Sequence, residues 1–403
     1  MRSSIIISAL GALLSVTFAN ADCPAHFSTE AKELLKDSIE VEATEHQVNV
    51  VYFVPADAKP VADYERRISE LLLYLQQFYA KEMDRNGFGK RAFGLNRTEN
   101  GNVKILFIRG EKNADQYTYG VEGATRCLDE INAHFRAHPE DKTSIHTFVV
   151  MPTLYNSTYN DDTPGGVPFF GYGTNCFALD YVGFDIKHLG KDTKEGRLLT
   201  KWYGGFAHEL GHGLNAPHNN GPASMNTEFG TPLMNAGNYT FGTSPTYLTP
   251  ATCCVFDRSQ TFAPKGDKTP FYVSGAPVPH ASNAKLSFDG EALQLTLRCH
   301  GACRHMVAYV QEPPYAVNQD YDAVCFVGKK GEKAEDGSFD VSFTIPRSEL
   351  RTLHTDKQRL ELLFIEEDGN RSRWTMEFHW PTILNNPASL SMPSDITPNR
   401  TGY

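Results

Sequence analysis

Beyond its first eighteen residues this sequence holds no apolar run of the length that crosses a bilayer, about 20 residues. A helical channel or transporter is therefore excluded, and the chain is not expected to be an integral membrane protein. It also lacks an excess of positive charge. Against 48 Asp and Glu stand only 38 Lys and Arg, a formal net charge of −10, so the basic footprint of a nucleic-acid binder is missing. No repeat of fixed period is present, which removes solenoids and propellers from consideration. Nor is there a biased segment of the kind that stays disordered. With 40% hydrophobic and 21% charged residues the chain can build an ordinary core, and 403 residues favour two domains.

The apolar run that does exist is N-terminal. Arg2 supplies a short positive start, Ile5 to Phe18 an apolar stretch, and Ala19-Asn20-Ala21 a small-residue cleavage pattern. Residues 1–21 thus read as a signal peptide cleaved near Ala21, and the mature protein is expected to be secreted or periplasmic. Eight cysteines remain: Cys23, Cys127, Cys176, Cys253, Cys254, Cys299, Cys303 and Cys325. An even number in an exported chain predicts disulfides, and Cys299 and Cys303 are close enough to staple one turn.

Val48 to Val54, Val103 to Ile108 and Ile145 to Met151 are β-branched and aromatic runs that predict buried strands. A further strand is expected within 169–181. Residues 61–82 carry Ile68, Leu71, Leu72, Leu75 and Phe78 at helical spacing, and Glu122 to Phe135 predict a second helix. Such alternation points to an α/β layered domain with a mixed, mostly parallel sheet. A long helix is predicted from Thr193 to about Leu214, with Asp192 and Glu195 as its capping box. After residue 263 the texture changes. Residues 264–284 are expected to form a linker rich in Pro and Gly. Residues 285–403, with short alternating runs separated by turns such as Asp289-Gly290 and Asp368-Gly369, predict an all-β sandwich. The first domain is then 22–263.

The chemistry concentrates in His208-Glu209-Leu210-Gly211-His212-Gly213-Leu214-Asn215-Ala216-Pro217-His218. On a helix His208 and His212 are i and i+4, so both imidazoles leave one face, where one Zn²⁺ can take both at about 2.0–2.1 Å. Glu209 lies one step round, placed to act on a water as general base. A catalytic zinc takes a third protein ligand. His218 supplies it provided that the chain turns sharply first. Asn215 tolerates positive φ better than other residues with a side chain, and Pro217 prevents the helix from continuing.

These residues resemble the metzincin clan of zinc metallopeptidases, whose motif HExxHxxGxxH is followed by a Met-turn. Asn215 stands where the clan has Gly. The resemblance implies one catalytic zinc on His208, His212 and His218, Glu209 as the catalytic base, and Met234 as the Met-turn methionine, with Met225 the competing candidate. It also implies an edge strand within 169–181 that pairs with an extended peptide. The Tyr that several clan members carry two residues after that Met is replaced by Ala236, leaving Tyr239 or Tyr247 as candidates for the oxyanion role. Three lesser expectations accompany it: Glu228 as an alternative third ligand, Asp161-Asp162 as a candidate Ca²⁺ site, and Cys23 as an inhibitory thiolate on the zinc in place of a disulfide partner. The function expected is a secreted zinc endopeptidase acting on proteins or peptides, with glycan or surface docking through the C-terminal domain. The alternative is an adhesion or glycan-binding protein with a vestigial metal site.

Overall fold

The structure, a computed structural model, describes residues 23–314, 321–350 and 355–401; the expected signal peptide lies outside them. A short helix α1 (Thr29–Leu35) opens the chain, its first turn capped by the Ser28 hydroxyl. Strands and helices then alternate as β1 (Asn49–Val54), α2 (Tyr64–Arg85), β2 (Ile105–Arg109), α3 (Val121–Ala137) and β3 (Thr147–Pro152), before the hairpin of β4 (Gly171–Tyr172) and β5 (Asn175–Asp180). The sheet order is β2-β1-β3-β5-β4. Four of its strands run parallel, and β4 lies antiparallel at the edge. This is the mixed, mostly parallel sheet that the alternation predicts. Every residue of β1 and β3 is buried, as central strands covered on both faces require. Ile68, Leu71, Leu72 and Leu75 of α2 supply part of that cover.

One buried ion pair fixes the end of β5. Arg67 of α2 grips Asp180 through Nη1–Oδ1 at 2.6 Å and Nη2–Oδ2 at 3.0 Å, and the Tyr52 hydroxyl donates to Oδ2 at 2.7 Å.

Helix α4 (Lys194–Gly213) crosses the same sheet against β5. Its cap is Thr193, not the expected Asp192: the Thr193 hydroxyl accepts from the Gly196 amide at 3.0 Å, while Asp192 pairs with Arg197 at 2.5 Å. Helix α5 (Ala223–Phe229), the parallel two-residue strands β6 (Thr231–Pro232) and β7 (Thr246–Tyr247), and α6 (Pro250–Asp257) complete this half.

The second half is all-β, as its alternation predicts. It runs β8 (His280–Phe288), β9 (Ala292–His300), β10 (Cys303–Gln311), β11 (Val324–Val327), β12 (Lys329–Lys333), β13 (Phe339–Pro346), β14 (Lys357–Glu366) and β15 (Arg371–His379), then α7 (Trp380–Asn385) and β16 (Asn399–Arg400). Two antiparallel sheets, β11-β10-β14-β15-β16 and β12-β13-β9-β8, enclose a core that includes Leu293, Leu295, Phe343, Leu362, Phe364 and Trp380. Strand β8 begins at His280, inside the stretch read as linker. The later residues of β10 and β14 are buried on both faces, because the outer face of their sheet carries Val307, Tyr309, Leu363 and Ile365 onto Ala251, Cys254 and Val255 of α6. The halves thus share a buried apolar interface. A main-chain ladder extends it: Asn220 N donates to Ala323 O at 2.7 Å, and Cys325 N to Asn220 O at 3.0 Å.

The disulfides expected from the cysteine count do not form. All eight cysteines are free thiols, seven of them buried. Most are scattered through separate packing environments. Cys127 lies against Met151, Cys176 beneath Gly213 and Cys254 between the halves. Cys299 and Cys303 do come close across the β9–β10 turn, as thiols, with Cys303 donating to the His305 carbonyl at 3.2 Å.

Candidate active site

Helix α4 brings His208 and His212 to one face, and the chain behind it brings back His218. Leu214 ends the helix, the Asn215 amide donates to the His212 carbonyl at 2.8 Å, and Asn215 turns at φ 77°. This is the left-handed turn for which Asn is suited. The three Nε2 atoms form a near-equilateral triangle with sides of 3.1, 3.1 and 3.2 Å.

Hydrogen bonds among these nitrogens do not account for that triangle. A carbonyl only accepts, so His208 Nδ1–H donates to Leu233 O at 2.8 Å and His212 Nδ1–H donates to Ala216 O at 2.8 Å. That leaves Nε2 of each ring as a lone pair. Burial, with the other histidines adding to it, holds His212 well below the usual imidazole range; burial also pushes His208 down to about 4. Two neutral rings therefore aim lone pairs at the same point as the third. A tetrahedral ion about 2.0–2.1 Å from each nitrogen would space them about 3.3 Å apart, close to the triangle observed. The donor set fits zinc, and among the described residues it is the one cluster of His, Cys, Asp or Glu that converges in this way.

Glu209 borders the triangle. The Gly171 amide of edge strand β4 donates to its Oε2 at 2.7 Å, while burial pushes its pKa up to about 7 against that bond. Position 171 must be Gly, since a Cβ there would stand 2.3 Å from His212 Cβ. Beneath the helix, Met234 is 1% exposed, and a Cβ at Gly211 would stand 2.4 Å from its Sδ. The turn holding Met234 thus sits directly under α4, and its Leu233 carbonyl orients His208. Met225, half-buried on α5, has no such place.

Most other candidates fall away from the site. Glu228 is exposed on α5, outside the triangle. Cys23 packs against the α/β core near Glu70 and Arg97, not against the histidines. Asp161 and Asp162 do not converge: Asp161 accepts from Tyr155 at 2.8 Å, and Asp162 pairs with Lys194 at 2.7 Å. Tyr247 is buried and donates to Asn226 at 3.0 Å. Tyr239, 64% exposed, stays near the site, within electrostatic range of Tyr321.

Sequence reading missed Tyr321. This residue of the β-half stacks on His218 with ring centroids 3.9 Å apart and planes at 25°, and lies 6.0 Å from the His208 ring. Asn235, next to Met234, donates its amide to the Tyr321 carbonyl. No local pattern marks such a residue, because its place depends on how the halves dock. Around the edge strand Tyr119, Phe170 and Tyr172 form an aromatic series, with centroids 5.8 and 6.5 Å apart in turn. Tyr119 is 67% exposed and Tyr172 39%.

No protein-family model matches the sequence, and no curated protein matches it. Among solved structures the chain is similar to wild-type OgpA from Akkermansia muciniphila, with 46% identity over 87% of this chain and 98% of that one and a TM-score of 0.82. A second crystal form of wild-type OgpA matches at 43% identity, over 92% and 99% of the two chains, with a TM-score of 0.81. Catalytically inactive OgpA in complex with an O-glycopeptide substrate, glycodrosocin, matches at 46% identity, over 87% and 97%, with a TM-score of 0.83.

Proposed function

This chain belongs to the family of OgpA, and from that membership we propose that it is a zinc-dependent endopeptidase of the metzincin type that cleaves O-glycosylated peptides. The observation that carries the proposal is the triangle of Nε2 atoms, 3.1–3.2 Å on a side, with the half-buried Glu209 carboxylate beside it. His208, His212 and His218 hold the metal, Glu209 is the general base, and Met234 is the residue of the Met-turn. The substrate class is carried over from the O-glycopeptide bound by inactive OgpA. It is supported by the series of exposed Tyr119, half-buried Phe170 and exposed Tyr172 along the edge strand, since aromatic faces suit the apolar faces of sugars.

A bound Zn²⁺ supplies Lewis acidity and lowers the pKa of water towards about 7. The chain's own residues do the rest. Extended peptide pairs with the open edge of β4, which lays the scissile bond over the histidines. Glu209 takes the proton of the attacking water and returns it to the leaving amine. A carboxyl whose pKa is raised to about 7 can do both near neutrality. The Gly171 amide keeps Oε2 aimed while the other oxygen works. The adhesion alternative gives this carboxylate no task, since a purely structural site has no use for a base.

The test is Glu209→Gln. It should bind zinc as the wild type does and leave an O-glycopeptide uncut, and chelation should silence the wild type. Turnover by the Gln variant would sink the assignment. Export with cleavage near Ala21 belongs to the same proposal; N-terminal sequencing of secreted material checks it.

A further inference from the structure

The turn that delivers His218 is held from outside the α/β half. Asn215, 5% exposed, donates its amide to the Tyr272 hydroxyl at 3.2 Å. The same hydroxyl accepts from the Gln260 amide at 3.0 Å and lies 2.8 Å from His146 Nε2. His146 Nδ1 lies 2.7 Å from the Gly213 carbonyl. Because a carbonyl accepts, Nδ1 carries the proton, and Nε2 must accept from Tyr272. A closed circuit results, Asn215 to Tyr272 to His146 to Gly213, tied around the last turn of the metal helix. It satisfies one of the carbonyls that a helix end leaves unpaired. The neighbouring Asn215 carbonyl accepts from the Arg371 guanidinium, at the start of β15.

Tyr272 and Arg371 belong to one docked unit. Tyr272 N donates to the Asp368 carbonyl at 2.7 Å, and the Asn370 amide donates to the Val273 carbonyl at 3.0 Å. The β14–β15 turn therefore seats the connecting segment on the end of α4. Three residues later the chain reaches His218, whose ring carries Tyr321. Everything that holds the chain between the second and third histidines from outside the α/β half comes from beyond residue 263.

Resting on the zinc reading above, we propose that Tyr272 and Arg371 are positioning residues for the third ligand, so that the C-terminal half is a working part of the metal site. Asn215 is then more than a substitute for Gly: its side chain is the hook by which that half holds the turn. The supports act on Asn215, Tyr272 through its side-chain amide and Arg371 through its carbonyl, so their loss should loosen His218 and leave His208 and His212 in place.

The experiment uses the full-length protein, loaded with Zn²⁺ or Co²⁺. Arg371→Met keeps the length of the side chain without its donors, Arg371→Lys restores one, and Tyr272→Phe removes one hydroxyl. Zinc affinity is read by competition with a chromophoric chelator, and ligand geometry by the d–d absorption of the Co²⁺ form. Loss of partners around a metal ligand typically weakens affinity 10–100-fold. About tenfold is expected for Arg371→Met and Tyr272→Phe, with a weakened tetrahedral Co²⁺ band and partial recovery in Arg371→Lys. Should Arg371→Met not fold, Tyr272→Phe carries the test by itself. Affinity within twofold of wild type and an unchanged Co²⁺ spectrum in the folded variants would overturn the proposal. Wild-type protein that binds no zinc would instead overturn the zinc reading.

Discussion

Replacing Arg67 by Met should destabilise the protein by about 3–5 kcal/mol at neutral pH, and most of that loss should disappear on acidification. Arg67 and Asp180 have side chains 4% and 0% exposed. Removing one partner of such a buried pair typically costs about 3–5 kcal/mol, because the other charge is left uncompensated. Asp180 has a way out. Burial pushes its carboxyl upward, and the Arg67 fork and Tyr52 hydroxyl push back. Without the fork, burial prevails and the carboxyl takes up a proton. At pH 7 that uptake costs about 4 kcal/mol, roughly three pH units above an ordinary Asp at about 1.4 kcal/mol each.

The pH dependence follows in sign. In the variant the folded pKa of Asp180 rises further above its unfolded value. The unfolded state then releases a proton that the folded state keeps, and stability falls as pH rises through that window. The gap between wild type and variant should therefore widen by up to about 1.4 kcal/mol per unit from pH 5 to pH 7. Urea unfolding of chelated protein measures it, chelation keeping metal loss out of the comparison. Arg67→Met with Asp180→Asn removes the orphan charge and should recover most of the stability at pH 7. A gap equal at pH 5 and pH 7, together with a double variant no better than the single one, would refute the reasoning.

Three further outcomes are expected. Gly211→Ala places a Cβ 2.4 Å from Met234 Sδ, and such overpacking costs about 1–3 kcal/mol; zinc content after dialysis should fall, and unchanged content would mean that the turn holding Met234 yields. Removing zinc should lower the melting temperature of wild type and Glu209→Gln alike, since a ligand at 1,000 times its Kd stabilises by about 4 kcal/mol, whereas in His212→Ala the chelator should change little. Asp257 joins the halves by accepting from Arg91 at 2.5 Å and lying 2.8 Å from His305 Nε2. Against the upward push of burial, these partners hold its carboxyl well below the usual range. Its stabilisation is present above about pH 4 and lost as pH falls further, so scanning calorimetry should find Asp257→Asn weakened at pH 7, with a deficit that shrinks in acid.

What could be read from sequence was what local physics decides. Two imidazoles at i and i+4 share a helix face whatever surrounds them. Val50, Val51 and Phe148 to Val150 announce covered strands because no other environment takes such runs. The helix cap shows the limit of that reasoning. Asp192 and Thr193 are both good N-caps, and only the observed reach of the Thr193 hydroxyl to the Gly196 amide selects between them. The cysteines mark a different limit, since counting thiols says nothing of distance, and Cys127, Cys176 and Cys254 are buried in separate packing environments.

Residues 264–284 show why composition misleads about order. Pro and Gly there predict a linker and say nothing of contacts, yet Tyr272, within that stretch, joins the circuit around the end of α4. Asn215 is where local and distant physics meet. A residue with a side chain in the left-handed region costs roughly 1–2 kcal/mol, least for Asn, and Gly would avoid that cost altogether. A net hydrogen bond contributes about 1 kcal/mol, so the bond to Tyr272 offsets much of the strain. Gly at 215 would keep the turn and lose the hook, and the C-terminal half would then hold the third histidine only through the Arg371 contact and the stacked Tyr321 ring. Asn in place of the Gly of the motif it resembles is thus the one mark within that motif of a partner 57 residues downstream.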